Sequence, residues 1–428
     1  KQHDSMQQAR GKLTLPNAKE DIKRLYRALY TAHLKSGTTW VGEFSLPFEE
    51  DGFRKMLEGI AASGVAANIA LQNWDQIRLM QGAGANRIRG MVNLGDPEEF
   101  TVYSFEHLSK AAKEMKVPLL AHIAETKEEV ETVKQNFQRG PVMLLNSFNT
   151  LRSNTVVVHA NYISEEEALM IKNVSGTVVV CPRSTAAKQT GYPSLRSLTR
   201  NSVRLCLGTD WGSTDMMQEM RFMYQLPLLI PGFQPFSPIE VLRMGTINAA
   251  FALGISNETG SIETGKRADL SLVNYSDIRL PVIQENASGN DWSRLLIEHL
   301  STSDITDVMI NGEMKYENRK FVSLDERAIA HELSELHEHV IMSSTPGSRS
   351  AGSRKSKPNV IPFLSDRSTE HIEGFEQGFP ATPKTATILE ITDRAVDATP
   401  PEPKPARPPV KPELPKNTRR VFGEEEDF

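Results

Sequence analysis

The sequence contains little cysteine. Cys181 and Cys206 are the two cysteines in 428 residues, and each lies in an apolar, strand-like stretch. Two such residues do not make the disulfide framework that staples a small secreted domain. We therefore expect both thiols to be reduced core residues of a cytoplasmic protein, with a catalytic thiol as the weaker alternative.

Other common signals are missing as well. No apolar stretch approaches the ~20 residues that span a bilayer. The formal net charge of −5 provides no basic field for nucleic acid or for an acidic membrane. No G-x-G-x-x-G motif opens a helix, which argues against a dinucleotide-binding sheet. We therefore expect neither nucleic acid nor a membrane as a partner.

What the sequence does contain is a repeated unit, an amphipathic helix followed by an apolar strand. The first unit has apolar residues at helical spacing over 17–34 and then a strand from Thr38. Continuous apolar runs of this kind are typical of parallel strands that are buried on both faces. Seven strands are predicted, in TTWVGEF, AANIALQN, IRGMVNLGD, PLLAHIAET, TVVVHAN, TVVVCPR and VRLCLGTD.

Seven such units predict an α/β fold, a TIM (β/α)8-type barrel in which the first strand is missing. A flavodoxin-like or Rossmann sheet is the structural alternative, but those sheets usually have five or six strands. Because a barrel must close, we expect the remaining strand to precede residue 1. A chain that begins with Lys1 instead of methionine agrees with that expectation.

The rest of the chain changes character twice. After Asp210, one helix is predicted to begin at Pro238 and another to span 244–255. Turn-rich and alternating stretches with a hairpin turn at Asn311-Gly312 then predict a small β-sandwich-like subdomain, closed by a charged helix. From Ser343 the chain is rich in Ser, Gly, Lys and Pro, which favours disorder. The predicted domains are the barrel over 1–256, the small β subdomain over 257–342 and the tail over 343–428.

Residues that bind metals or carry protons lie at the ends of three predicted strands. His122 and His159 close two of them, and Asp210 closes a third. Glu125 follows His122 by three residues. In a parallel barrel such ends converge on one face, and imidazole with carboxylate suits a divalent metal such as Zn²⁺ or Fe²⁺. A single strand-end histidine is more often a hydrogen-bonded core residue, but the combination favours a metal site.

The order of motifs over residues 18–322 is specific. HIAET is followed by VVHANYISEEE, VVVCPRS, LGTD, MGTINAAFALGI and TGSIETGKRADLSLVN. This series resembles the amidohydrolase superfamily, within its branch of chlorohydrolases and aminoheterocycle deaminases. That branch includes adenosylhomocysteine/methylthioadenosine and aminodeoxyfutalosine deaminases. SGTTWV, over residues 36–41, is similar to the second strand of the same branch.

The resemblance implies a role for each strand-end residue. His122 would be the metal ligand on the family's fifth strand, and Glu125 would be the proton shuttle. His159, on the sixth strand, would contact the attacking water or the substrate. Asp210, on the eighth strand, would bind the metal and accept the proton of the water. For Glu125, a solvated position in the first turn of the next helix is the alternative.

The chemistry of these residue types agrees with hydrolytic deamination. A metal lowers the pKa of its bound water toward neutrality, and a neighbouring carboxylate can carry a proton to a ring nitrogen and onward to the leaving amine. We expect a small-molecule substrate, an aminated purine-like nucleoside or heterocycle that loses ammonia. We expect one divalent metal ion, with zinc the first choice and iron the second.

Two further residues are candidates for substrate binding. Arg183 ends the strand TVVVCPR and could contact a polar group of the substrate, with a structural ion pair as an equal alternative. Trp211 follows Asp210 and is expected to line or narrow the pocket. Thr214 and Asp215 are weaker candidates for the same role. A homodimer is expected by default.

One motif of the family is missing. The family pattern places an H-x-H pair at the end of the first strand, and no such pair precedes SGTT here. We favour truncation, in which case the intact protein is an enzyme and this chain alone an inactive fragment. The alternative is a catalytically impaired scaffold or binding protein of the same fold. Its disordered tail, whose tip is RRVFGEEEDF, would then recruit a protein partner instead of being a solubilising terminus.

Overall fold

The computed structural model describes residues 19–44, 50–82, 87–95, 97, 100–210, 214–275 and 287–344. Its main feature is a sheet of seven parallel strands that neighbour one another in chain order. Parallel neighbours need a crossover connection between them, and helices provide it. The strands are β1 (Trp40–Phe44), β2 (Ala66–Leu71), β3 (Ile88–Asn93), β4 (Leu119–Ile123), β5 (Thr155–His159), β6 (Thr177–Val180) and β7 (Arg204–Leu207).

Helices precede, connect and follow these strands. Most carry one buried apolar face, as their sequence periodicity predicts. They are α1 (Lys19–Lys35), α2 (Glu50–Ser63), α3 (Trp74–Gly82), α4 (Val102–Met115), α5 (Lys127–Phe137), α6 (Pro141–Ser147), α7 (Glu165–Asn173), α8 (Pro182–Lys188), α9 (Leu195–Arg200), α10 (Met216–Gln225), α11 (Pro238–Gly245) and α12 (Ile247–Ala252). Among the described residues, no helix is long and apolar enough to cross a bilayer.

The apolar strands are covered on both faces. Every residue of β2 and β5 is buried, which explains why neither strand alternates between polar and apolar positions. One face packs against the helices in the main core. The other face carries a second apolar cluster of Ala70, Met91, Leu120, Val158 and Cys181, with Phe44, Val179 and Leu253 packed on it.

The segment around α12 connects the two ends of the sheet. Asn248 Nδ2 donates to the carbonyl of Leu205 in β7 at 2.8 Å. Leu253, five residues after Asn248, lies against Gly42 in β1, because a Cβ added at Gly42 would be 2.6 Å from Leu253 Cδ2. A helix as short as α12 is about 9 Å long, so β1 and β7 both lie close to it. The sheet is therefore curved toward a barrel, as predicted, while the eighth strand stays a prediction.

A second, antiparallel sheet follows in the chain. Its four strands neighbour one another in chain order, and the predicted turn at Asn311-Gly312 connects the second strand to the third. Both turn residues have positive φ, 55° and 81°, which is the conformation that an Asn-Gly hairpin favours. Its elements are β8 (Leu270–Val273), α13 (Gly289–Glu298), β9 (Ile305–Ile310), β10 (Glu313–Glu317), β11 (Lys320–Phe321) and α14 (Glu326–Ser344).

The structure corrects one helix and leaves two boundaries as predictions. The helix predicted over 244–255 is interrupted at Thr246, where φ is −126° and ψ is −100°, so α11 ends at Gly245 and α12 begins at Ile247. The helix α14 runs two residues beyond the predicted end at Met342. Residues 345–428 lie outside the described residues, so the disordered tail stays a prediction. The domain boundary between residues 256 and 257 also stays one.

Candidate active site

Three predicted residues meet where β4, β5 and β7 end. Glu125, His159 and Asp210 each offer one ligand atom, and these atoms all lie within 4.8 Å of one another. They converge because the carboxyl ends of parallel strands lie on the same face of the sheet. A group of one imidazole and two carboxylates can hold a divalent metal ion.

The backbone at these strand ends is in an uncommon conformation. Ala124, His159, Ala160 and Asp210 have φ values of 55°, 74°, 51° and 47°. Residues with a side chain seldom adopt such positive φ values, and those that do are concentrated at functional sites. The chain therefore turns sharply at the points where it presents these side chains.

His159 is the most enclosed member of the group. Its side chain is 1% exposed, and its Nε2 lies 3.6 Å from Glu125 Oε2. The ring of His122, on the neighbouring β4, lies 5.5 Å from the ring of His159, and Phe44 packs edge-on against it at 4.5 Å. His122 is therefore beside the group of three, and its role as a metal ligand stays a prediction.

The cation at the centre of the site, Lys188, was not predicted from the sequence. Lys188 Nζ lies 2.7 Å from Asp210 Oδ2 and also contacts Glu125 Oε1. Ser184, one helical turn earlier in α8, donates to the same oxygen of Asp210 at 2.6 Å. Pro182 opens α8 directly after β6, so the spacing of four residues places Ser184 and Lys188 on one face. That spacing in PRSTAAK was the available signal.

The Asp210 carboxylate and the Lys188 ammonium each stabilise the charged form of the other. Burial by itself would raise the pKa of Asp210, but the charges of Lys188 and His159, with hydrogen bonds from Lys188 and Ser184, hold it below the ordinary value. Burial alone would lower the pKa of Lys188, and the two carboxylates raise it instead. Asp210 is thus a carboxylate, and Lys188 an ammonium, at neutral pH.

A second missed residue fixes the loop that carries Glu125. The Glu129 carboxylate accepts hydrogen bonds from the backbone N–H of Ala124 at 2.6 Å and of Glu125 at 2.9 Å. Asn161 Nδ2 donates to the carbonyl of Glu125 at 3.0 Å. Thr126 caps α5 by accepting from Glu129 N–H, so the motif T-x-x-E was the signal in the sequence. The side chain of Glu125 is 14% exposed. It is therefore not the solvated first-turn residue that the sequence left as the alternative.

Arg183 lies beside a buried acid. Its Nη1 is 3.5 Å from Glu219 Oε1, and its backbone N–H donates to Glu219 Oε2. Glu219 is fully buried, and burial raises its pKa to about 7. This is the structural ion pair that the sequence left open, and a substrate contact for Arg183 stays a prediction.

The remaining candidates have other positions. Trp211 lies outside the described residues, so its role also stays a prediction. Asp215 caps α10 by accepting from Gln218 N–H, and the Thr214 carbonyl accepts from Ser36 Oγ. Cys181 and Cys206 are free and buried, and burial raises the pKa of Cys206 to about 12, so neither is an activated thiol.

The chemistry of the donors fits the metal that the sequence predicts. Glu125, His159 and Asp210 supply oxygen and nitrogen ligands in a largely buried site, with His122 alongside. The Lys188 ammonium contacts both carboxylates, so a metal and this side chain would share ligands. The site therefore suits a divalent ion, although the chain already supplies a cation there.

Comparison with known proteins agrees with this fold. Residues 3–315 match the model of the Amidohydrolase family. A 5-methylthioadenosine/S-adenosylhomocysteine deaminase of Moorella thermoacetica is 29% identical over 325 residues, which are 73% of this chain and 74% of that protein. The enzyme of the same name from Pyrococcus furiosus is 32% identical over 231 residues, 52% of each chain.

Solved structures share the fold. An adenosine deaminase from Xanthomonas campestris with bound zinc superposes with a TM-score of 0.68 at 22% identity, over 76% of each chain. Atrazine chlorohydrolase TrzN from Arthrobacter aurescens, complexed with zinc, gives 0.65 at 18% identity, over 74% of this chain and 77% of that one. The family match covers well over half of the sequence and coincides with the parallel sheet and its strand-end site, and on this evidence the chain belongs to the amidohydrolase family.

Proposed function

We propose that this chain carries the catalytic residues of a metal-dependent hydrolase that deaminates an aminated purine-like nucleoside or heterocycle. The observation that carries the proposal is the convergence of Glu125, His159 and Asp210 at one face of the sheet. The names of two similar relatives, deaminases of 5-methylthioadenosine and S-adenosylhomocysteine, support the substrate class. Loss of ammonia from an amidine-like ring carbon is the reaction.

The side chains of the site have two roles, metal binding and proton transfer. Asp210 and His122, with His159 beside them, would hold one divalent ion, zinc in the first place, which supplies a water of lowered pKa. Glu125 is the proton carrier, because it follows the carboxyl end of β4 and its backbone is held by Asn161 and Glu129. A carboxylate so placed can take a proton from water and deliver it to a ring nitrogen and then to the leaving amine.

Replacement of Glu125 by Gln tests this role. The change keeps the shape of the side chain but removes the proton carrier, so we expect turnover to fall by about 10²–10⁴-fold while metal content is unchanged. The assay is ammonia release from a panel of aminopurine nucleosides, with metal measured by elemental analysis. Glu128→Gln, an exposed neighbour in the first turn of α5, is the matched control.

Two results would count against the proposal. Undiminished turnover in the Glu125 variant would remove Glu125 from the mechanism. A metal-replete protein that releases ammonia from none of the aminated heterocycles would favour the second candidate, a binding protein of the same fold. The observation that favours this candidate is the Lys188 ammonium, which contacts two of the carboxylates that catalysis needs. A homodimer, a partner of the tail and a cytoplasmic location remain predictions.

A further inference from the structure

Lys188 is buried in the site that the hydrolase proposal uses. Its side chain is 6% exposed, it contacts Glu125 Oε1, and its Nζ lies 2.7 Å from Asp210 Oδ2. Asp210 Oδ2 also accepts from Ser184 Oγ. The ammonium thus lies between two carboxylates that come from the ends of different strands.

The charges explain why such a lysine is stable there. The side chains of Glu125 and Asp210 are largely buried, at 14% and 13% exposed, although the Asp210 residue as a whole is exposed. Two carboxylates facing each other in a site of low dielectric repel strongly, and a cation between them converts that repulsion into attraction. A buried ammonium is itself costly unless it is paired, and here it has two partners.

A divalent ion would need an oxygen of Asp210, which already pairs with Lys188. An ion coordinated by Asp210 and His159 would lie close to Lys188 Nζ, because the ligand atoms of Glu125, His159 and Asp210 are within 4.8 Å of one another. Two positive charges at such a separation repel, and the repulsion is large where water is excluded. Either the ammonium leaves Asp210 or the metal binds weakly.

We propose that Lys188 is a built-in counter-ion that holds Glu125 and Asp210 together and competes with a divalent metal for Asp210. Lys188 is a positioning residue in this scheme. It sets the metal affinity of the site, and it keeps the two strand ends together whether or not a metal is bound. The proposal uses the same residues as the hydrolase proposal but does not depend on its reaction.

The first test measures metal affinity. The full chain with Lys188→Met is titrated with Co²⁺ and Zn²⁺ in competition with a chromophoric chelator. We expect at least about tenfold tighter binding than in the unchanged protein, because the competing cation is gone. Lys188→Arg, which keeps the charge, should remain within about threefold of the unchanged protein. Lys172→Met, an exposed lysine of α7, is the matched control and should bind as the unchanged protein does.

The second test measures stability in the presence of chelator, where the metal has no part. We expect Lys188→Met to lower the equilibrium constant for folding, and Asp210→Asn to remove most of that loss in the double variant. Lys188→Gln, which is neutral and polar, is measured in parallel. It separates the effect of the lost charge on stability from the effect of packing a methionine in the site. In a separate measurement without chelator, added Co²⁺ should stabilise the Lys188→Met protein more than the unchanged one.

Several results would overturn the inference. Metal affinity that is equal or weaker after Lys188→Met shows that the lysine does not compete, and so does an absence of measurable metal binding in every variant. Additive effects of Lys188→Met and Asp210→Asn show that the two side chains are not coupled. None of these readouts involves deamination. Failure of the hydrolase proposal and failure of the counter-ion proposal are therefore distinguishable.

Discussion

Glu129 positions the proton carrier Glu125 without a proposed part in the reaction. Its carboxylate accepts two backbone hydrogen bonds, from Ala124 and Glu125, at the point where β4 gives way to α5. Both donors lie in the turn that aims Glu125. The precision of the proton carrier is therefore determined by a buried neighbour.

Glu129→Gln should disturb this turn. A glutamine presents an NH₂ group to one of the two backbone N–H donors, so at least one hydrogen bond is lost. We expect a loss of about 1–3 kcal/mol in the free energy of unfolding and slower turnover with metal content unchanged. Urea denaturation and the ammonia assay check both. Glu131→Gln, an exposed residue of the same helix, is the control, and equal behaviour of the two variants would contradict the assigned role.

Glu219 makes stability depend on pH. Burial raises its pKa to about 7 even though Arg183 is nearby, whereas an exposed glutamate in the unfolded chain titrates near ~4.3. Because the pKa is higher in the folded state, Glu219 contributes fully to the free energy of unfolding at pH values below the pKa of the unfolded chain. This contribution is lost as the pH rises through about 7.

We therefore expect the protein to lose about 1–3 kcal/mol through Glu219 between pH 5 and pH 8.5. In Glu219→Gln this part of the pH dependence should be absent. The measurement is urea unfolding of both proteins at several pH values, compared as differences so that other titrating groups cancel. Parallel stability curves for the two proteins would show that Glu219 does not titrate in this range.

At the scale of elements, the pair α1 and α2 is held at close range by a glycine. A Cβ added at Gly59 would lie 2.4 Å from the carbonyl oxygen of Lys23 and 3.1 Å from the backbone nitrogen of Arg27. Backbone atoms cannot move aside as the end of a flexible side chain can. The helices would have to separate to admit even one methyl group.

Gly59→Ala should therefore destabilise the protein, against the usual helical preference for alanine. We expect a loss of about 1–3 kcal/mol from overpacking. Gly289→Ala is the matched control, because a Cβ there meets nothing within 4 Å, so we expect no loss of stability from overpacking. Thermal and urea unfolding of the two variants measure the difference. A stabilised Gly59 variant would mean that the helices pack less closely.

At the scale of the whole molecule, one ion pair joins the small sheet to the parallel sheet. Arg87 donates to both oxygens of Asp269, at 2.8 and 2.6 Å, and Asn311 N–H donates to Asp269 Oδ1 at 2.7 Å. The Asp269 side chain is fully buried. Arg87 precedes β3, whereas Asp269 precedes β8, so the contact connects residues 182 positions apart.

Removal of one partner should leave the other charge without compensation. We expect Asp269→Ala to cost about 3–5 kcal/mol, and the double variant with Arg87→Met to cost less than the sum of the single changes. A double-mutant cycle in urea measures this coupling. Additive losses would show that the pair does not connect the two sheets energetically.

Much of the fold, and the identity of the strand-end residues, could be predicted from the sequence alone. The seven strands, their order and the Asn311-Gly312 turn follow from periodicity and turn chemistry, which depend on near neighbours. The strand-end residues Glu125, His159 and Asp210 could be identified for the same reason, since a parallel sheet places all its carboxyl ends together. The break at Thr246 was missed because the apolar pattern runs through it unchanged.

Only the tertiary structure decided what surrounds those residues. Lys188 contacts carboxylates 63 and 22 positions away, and Arg183 pairs with Glu219 across 36 positions. Such contacts depend on where the helices after β6 and β7 pack, and no local pattern encodes that position. The sequence specified a metal-binding type of site because ligand types lie at strand ends. Folding alone placed a lysine among the ligands, because burying two carboxylates together requires a positive charge between them.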